Sequence, residues 1–311
     1  MLKDFQAGDK IRHIALMKVQ KIGPTSTGGM FARGIIQDNS GMINFICFEG
    51  AIIERLRKVE GFVPLVVTGQ IDINKFANDG SLQIVINKVE EVLDTDDTGH
   101  LMAQAPVDID VYKEKLKEYV NNIQDAFLKK LMRSIFNNVY DRFVINPAGS
   151  RLHHAYLGGL LEHCVDVTAL AVSMAKASKN INLDLVVCGS LLHDLGKIEE
   201  ISAEYGFGYT TKGRLLGHIT ISSMIVNSHA EKIPAAERDE NLLHELLHIL
   251  ISHHGEQEKG SPVACATKES FIVHYADELN AVLNQYENQD DDNSWMFSKM
   301  INRNLYNPVV K

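Results

Sequence analysis

Cysteine is scarce in this chain, and the little there is forms no pattern. The four cysteines in 311 residues, Cys47, Cys164, Cys188 and Cys265, lie far apart with no CxxC pair. Neither a thiolate zinc knuckle nor a disulfide frame can be built from them, so they read as small buried apolar residues in a reducing compartment. No apolar run approaches the roughly 20 residues of a membrane span. The first residues, "MLKDFQAGDK", lack the basic-then-apolar pattern of a secretory leader, so the expected location is the cytoplasm. Positive charge is short as well. A net charge of −9 argues by itself against a nucleic-acid binder.

The charge deficit is not uniform. Residues 1–93 carry 11 Lys+Arg against 10 Asp+Glu, whereas residues 94–311 carry 20 against 30. An acidic domain can still act on phosphates, because bound divalent cations reverse the local sign. Histidine is skewed the same way, with 11 of 13 at or beyond position 153. Such bunching places a candidate site in the second part.

Two textures divide the chain. From about residue 10 to 93, short β-branched runs such as "KIRHIALMKVQKI" and "FVPLVVTGQIDINKF" alternate with turn signals "TSTGG", "DNSG" and "ANDG". Four or five strands and one helical piece, "AIIERLRKV", predict a small closed β-barrel over residues 1–93. Residues 94–110 read as an acidic linker. Residues 111–311 read as an all-α bundle, opening with apolar positions Leu116, Val120, Ile123, Phe127, Leu131 and Ile135 at helical spacing. Further helices are expected near 154–179, 184–196, 218–230, 239–253 and 267–286. The polar tail from Glu287 is expected to pack loosely.

The stretch "LLHDLGK", Leu191 to Lys197, sets an imidazole beside a carboxylate. Adjacent helical residues point about 100° apart, so both heads reach one point only near a frayed helix end. Convergence on a metal ion is the usual reason. Other candidate ligands follow the same habit of sitting on or beside a helix: His163 in "GGLLEHCVD", His218 in "LLGHITI", His253 and His254 in "ISHHGE", and Asp277 in "VHYADELNA". Any one alone is best read as a satisfied polar residue; together with His193 and Asp194 they predict a metal site. Imidazole and carboxylate without thiolate suit Mn²⁺, Fe²⁺, Co²⁺, Ni²⁺ or Zn²⁺ rather than Ca²⁺. The set is too large for one tetrahedral ion. It would serve two ions bridged by Asp194. One decoy competes: "HELLH", His244 to His248, fits the zinc-protease spacing, with Glu245 as base and Glu269 downstream. Against it, Leu243, Leu246, Leu247 and Leu250 make an apolar face that turns His244 and Glu245 outward.

The order H…HD…D, carried by His163, His193–Asp194 and Asp277, resembles the HD-domain superfamily of metal-dependent phosphohydrolases. The resemblance implies that these four residues hold a first ion, and that Asp194, His218 and His253 or His254 hold a second, with Mn²⁺ preferred. It also implies catalytic roles for Asp194 and for Lys197, whose ammonium would face the phosphate; a solvated helix-end lysine is the plain alternative. A trinuclear variant carries a Glu four residues before the first His. Gly159 stands there, so no third ion is expected. "HHAYLGGLLEH" adds His153 and His154 as phosphate contacts or as helix caps.

The strand-rich part is similar to an OB-fold, with Lys18, Lys21, Arg33, Phe31, Phe45 and Phe48 as groove candidates for single-stranded nucleic acid. An OB-fold followed by an HD domain resembles the YhaM-type 3′-to-5′ exoribonucleases of Gram-positive bacteria over nearly the whole chain. The matching segments are "HHAYLGGLLEH", "LLHDLGK", "GHI" and "SHHG"; "FICFEG" departs where a Trp is expected. The resemblance implies hydrolysis of single-stranded RNA to nucleoside 5′-monophosphates, with single-stranded DNA left open, and a homo-oligomer. Two rivals stand beside it: a phosphodiesterase of small or cyclic nucleotides, and a nucleic-acid-binding factor with a vestigial HD domain.

Overall fold

The computed structural model describes residues 1–74, 77, 80–150, 154–287, 294–298 and 301–307. Two compact units emerge: Met1–Gln104 with Glu204–Gly208, and Ala105–Ala203 with Tyr209–Lys311. Among the described residues no helix is long and apolar enough to cross a membrane.

Strands β1 (Lys10–Pro24), β2 (Met30–Asp38), β3 (Gly41–Cys47), β4 (Val63–Ile73) and β5 (Leu82–Glu91) close the first unit in the order β1-β2-β3-β5-β4. Strand β4 returns to pair with β1, and β3 runs parallel to β5. With helix α1 (Gly50–Leu56) between β3 and β4, this is the OB-fold topology that the strand texture led us to expect. Close coiling depends on two glycines. A Cβ at Gly34 would lie 2.0 Å from the Lys18 carbonyl oxygen, and one at Gly69 would lie 2.3 Å from that of Val85. Both sit beside register shifts in their strand pairs, where a bulge tightens the twist.

Pleat alternation sorts the aromatic groove candidates. In β2, Ala32 and Ile36 are buried while Arg33 is exposed and Phe31 half-buried. In β3 the inward positions are Phe45 and Cys47. Phe45 is therefore corrected from groove residue to core residue, 1% exposed. The residues after β5 fold back on the barrel: His100 Nε2 lies 2.8 Å from the Ile14 carbonyl, and the His100 carbonyl accepts the Asn39 N–H.

The second unit contains α2 (Ile109–Asn122), α3 (Ala126–Ile145), α4 (Gly159–Lys176), α5 (Leu183–Leu192), α6 (Lys197–Glu200), α7 (Thr211–Glu231), α8 (Glu240–Ser252) and α9 (Lys268–Glu287). The apolar series from Leu116 to Ile135 is buried throughout, but it spans two helices. The Asp184 carboxylate accepts both the Gln124 and Asp125 N–H groups, at 2.9 and 2.7 Å. Asp125 in turn caps α3 by accepting the Leu128 N–H. The tail also differs from expectation. Its described part is a hairpin, β6 (Trp295–Ser298) and β7 (Arg303–Tyr306), with Leu305 and Ser298 buried.

Asp38, the first residue of the "DNSG" turn, anchors the barrel's N-terminal end. Its buried carboxylate accepts the Leu2 N–H, the Ser40 N–H and the Ser40 hydroxyl, and lies 2.9 Å from His13 Nε2. Burial pushes its pKa up, but these bonds outweigh it and hold the carboxyl below the ordinary range. Its stabilisation is complete above that range and is lost as pH falls through the folded-state value. Asp38→Ala leaves buried donors unpaired and is expected to cost about 1–3 kcal/mol, read by urea denaturation at neutral pH. The deficit should shrink in acid.

Candidate metal centre

Helix α5 is buried from Leu185 to Leu192 and ends against the centre of its unit. A helix apolar on all sides must be wrapped by others. Gly189 admits Ile249 of α8 where a Cβ would lie 2.7 Å from its Cγ2. His193 caps the C-terminal end of α5 and Asp194 follows in the turn. Gly196 explains the next position of the motif. A Cβ there would stand 2.1 Å from the His218 carbonyl oxygen, so only glycine lets the turn lie against α7. Ser222 ties the two together, accepting the Gly196 N–H and donating to the His193 carbonyl.

The other side chains arrive from helix ends and faces. His163 sits one turn into α4 and Asp277 midway along α9. Helix α7 kinks at Gly217, with φ 70° and ψ 153°, and His218 follows at once, its N–H held by Glu200 Oε1. His253 caps α8 and His254 succeeds it.

These residues meet around one carboxylate. Asp194 Oδ2 lies 3.3 Å from His163 Nε2 and 3.4 Å from His193 Nε2. The other oxygen, Oδ1, lies 3.4 Å from His218 Nε2 and 3.8 Å from His253 Nε2. Asp277 Oδ1 completes the first side, 3.3 Å from His163. Two trios able to hold a cation result, His163–His193–Asp277 and His218–His253–His254, with Asp194 between them.

Each imidazole is oriented by its far nitrogen. His193 Nδ1 lies 2.7 Å from the Ser190 carbonyl, His253 Nδ1 2.8 Å from that of Leu250, and His254 Nδ1 3.2 Å from that of Lys259. A carbonyl only accepts, so Nδ1 carries a proton in each, which leaves Nε2 as the ligand atom of the neutral ring. His163 Nδ1 meets Asn280 at 2.8 Å and His218 Nδ1 meets Glu200 at 3.2 Å. Such outer partners are how proteins orient metal-binding histidines. The Nε2 atoms of His218 and His253 are buried with no hydrogen-bond partner among the described residues, and those of His163 and His193 face each other at 3.2 Å. Bare nitrogens gathered round buried carboxylates fit a divalent cation in each trio.

The electrostatics agree. Burial opposes charge on His163, but Asp194 and Asp277 outweigh it and push its pKa up to about 9. Burial would also raise Asp194, yet Lys197 and His193 hold it well below the carboxylate range. Lys197 Nζ is 2.6 Å from Asp194 Oδ2 and lines the cavity in front of the trios. Burial keeps His253 and His254 low and so neutral near pH 7.

His154 is buried with φ 51° and lines the same cavity. Its Nδ1 meets the Tyr156 hydroxyl, which donates to Glu162, and its Nε2 has no hydrogen-bond partner among the described residues. His153 lies outside the described residues. The protease decoy does not assemble: His244 and Glu245 are exposed, His248 Nε2 accepts the Ala266 N–H, and Glu269 accepts that of Asn182. At Gly159 a Cβ would lie 2.1 Å from the His154 carbonyl oxygen, so a side chain has no room there. On the barrel, Phe31, Arg33 and Phe48 share a groove of about 630 Å³, while Lys18 lies over the Phe62 ring. Lys21 is exposed on β1 opposite Arg33. Sequence reasoning missed Ser222, Glu200 and Asn280; Asn280, one turn past Asp277 on α9, was the one within its reach.

Residues 160–282 match the HD domain family. The chain is 30% identical over 317 residues to "3'-5' exoribonuclease YhaM" of Listeria innocua serovar 6a, covering 100% of this chain and 99% of that protein. It is 30% identical over 315 residues to the protein of the same name from Listeria monocytogenes serovar 1/2a, and 29% identical to that of serotype 4b strain CLIP80459, with the same coverage.

Cation binding must displace the proton that His163 holds below about pH 9. Apparent Mn²⁺ affinity is therefore expected to rise with pH and level off near 9, with protons released on binding. Calorimetry in buffers of differing ionisation enthalpy reads both; a flat profile with no proton release would contradict the ligand role of His163.

Proposed function

Because this chain belongs to the YhaM family of 3′-5′ exoribonucleases, we propose that it is a metal-dependent hydrolase that shortens single-stranded RNA from the 3′ end. The products are nucleoside 5′-monophosphates. The observation that carries the reading is the convergence of four imidazoles on the two oxygens of Asp194, with Asp277 and His254 completing the two trios. In this reading His163, His193, Asp194 and Asp277 would hold one divalent cation, and Asp194, His218, His253 and His254 would hold a second. The donor set suits Mn²⁺, Fe²⁺, Co²⁺, Ni²⁺ or Zn²⁺, and the family resemblance favours Mn²⁺. Bound cations supply Lewis acidity and a water of lowered pKa.

The chain's own groups do the rest. Asp194 fixes the spacing of the two trios. Lys197, drawn to Asp194 and bordering the cavity, offsets charge gathering on the phosphate. His154 offers its Nε2, which has no partner among the described residues, to a phosphate oxygen. The barrel holds the strand, with bases on Phe31 and Phe48 and the backbone along Arg33, Lys18 and Lys21. A near-neutral barrel predicts weak, salt-sensitive capture.

With Mn²⁺, 5′-labelled oligoribonucleotides should shorten stepwise from the 3′ end. Asp194→Asn should lower turnover more than about 100-fold, beyond what losing an outer-shell partner costs, while strand binding by fluorescence anisotropy stays near wild type. Cleavage of cyclic nucleotides alone, with RNA left intact, would contradict the exonuclease reading. Full activity in Asp194→Asn would contradict the metal assignment.

A further inference from the structure

The cavity before the metal-ligand side chains has a volume of about 960 Å³, ample for more than a single phosphate group. Among the described residues, three Lys or Arg side chains line it: Lys197, Lys259 and Arg303. Two of them already have carboxylate partners. Lys197 is 2.6 Å from Asp194 Oδ2, and Lys259 is 2.6 Å from Glu278 Oε1. Arg303 makes no ion pair among the described residues. Its Nε reaches only the Ile301 carbonyl, at 3.4 Å, which leaves both terminal amino groups of the guanidinium without a protein partner among them.

Arg303 is also held in place. It opens β7 and pairs with Ser298 of β6, one residue after Asn302, which takes a left-handed φ of 50°; asparagine tolerates that region best after glycine. A two-stranded hairpin is marginal alone, and this one is secured on its inner face by Leu305 and Ser298, both buried. Its open end is tied to α9 by Asn307 Nδ2, which donates to the Tyr286 carbonyl at 3.3 Å. On the outer face the Trp295 and Tyr306 rings lie 4.9 Å apart. The hairpin thus places one unpaired guanidinium at the cavity wall beside Ile301 and Asn302.

We propose that Arg303 is a substrate-binding residue that takes a backbone phosphate of the RNA on the 5′ side of the scissile phosphodiester. The inference rests on the exonuclease reading above. The scissile phosphate faces the metal trios, and the strand that remains after each cut carries the next phosphate away from them. Lys197, held against Asp194, faces the scissile phosphate, so the next phosphate needs a further cation. Arg303 is the cavity-lining one with no carboxylate partner among the described residues. A guanidinium meets two phosphate oxygens with a rigid planar fork, a geometry that the point charge of an ammonium does not fix.

The test compares wild type, Arg303→Ala and Arg303→Lys on an oligoribonucleotide and on the p-nitrophenyl ester of uridine 5′-monophosphate, a diester with one phosphate. Arg303→Ala is expected to raise KM for the oligoribonucleotide about tenfold, with kcat within about twofold, and to leave the ester's kinetics unchanged. The slope of log kcat/KM against log salt should fall by about 0.7, one phosphate contact on a single strand. Arg303→Lys should restore that slope while recovering only part of the affinity. Trp295 is the sole tryptophan, so an unchanged emission spectrum in Arg303→Ala shows the hairpin intact. Unchanged RNA kinetics in Arg303→Ala, or equal loss on both substrates, would overturn the proposal while the exonuclease reading stands. A wild-type protein that cleaves the ester but never shortens RNA would overturn both.

Discussion

Everything in the second unit is arranged around one buried carboxylate that faces two ways. Asp194 lies within 4 Å of the Nε2 atoms of four histidines, and each of its oxygens serves a different pair. Taking such a group out of water is costly unless it is paired and hydrogen-bonded. Here Lys197 supplies the opposing charge, while the nearby imidazoles supply lone pairs as well as protons. Bare nitrogens packed beside carboxylates are poor partners for one another and good partners for a cation. The centre makes physical sense as a cation cradle in a way it does not as a piece of core.

That demand explains local features that would otherwise count as defects. Gly196 and Gly189 each occupy a position where a Cβ would intrude on a neighbouring helix, so α5, α7 and α8 approach closely enough for His193, His218 and His253 to meet. The kink at Gly217 interrupts α7 immediately before a ligand candidate. Carbonyls left open near the ends of α5 and α8 are used to turn His193 and His253. Helix ends, rather than helix faces, thus deliver half of the site.

The barrel and the cluster of candidate ligands were legible because both write themselves locally. β-Branched runs punctuated by "DNSG" and "TSTGG" announce strands, and histidines beside apolar runs announce buried imidazoles. What was illegible depends on distance in the chain. The break between α2 and α3 is enforced by Asp184, some sixty residues away, while the apolar spacing runs through it undisturbed. Phe45 differs from its neighbours only by which side of the pleat it occupies. The terminal hairpin is two four-residue strands with no periodicity long enough to read, yet it brings Arg303 to the cavity before the two trios. Similarity to the Listeria proteins extends over the whole chain and so over the residues of both units.

The most direct test of the account is a count of cations at Asp194. Crystals grown with Mn²⁺ and measured at the manganese absorption edge should show two anomalous peaks, one on each side of the Asp194 carboxylate, within bonding distance of the His163 and His218 sides. A single peak remote from Asp194, or none near it in manganese-loaded, active protein, would contradict the claim that this carboxylate organises the site.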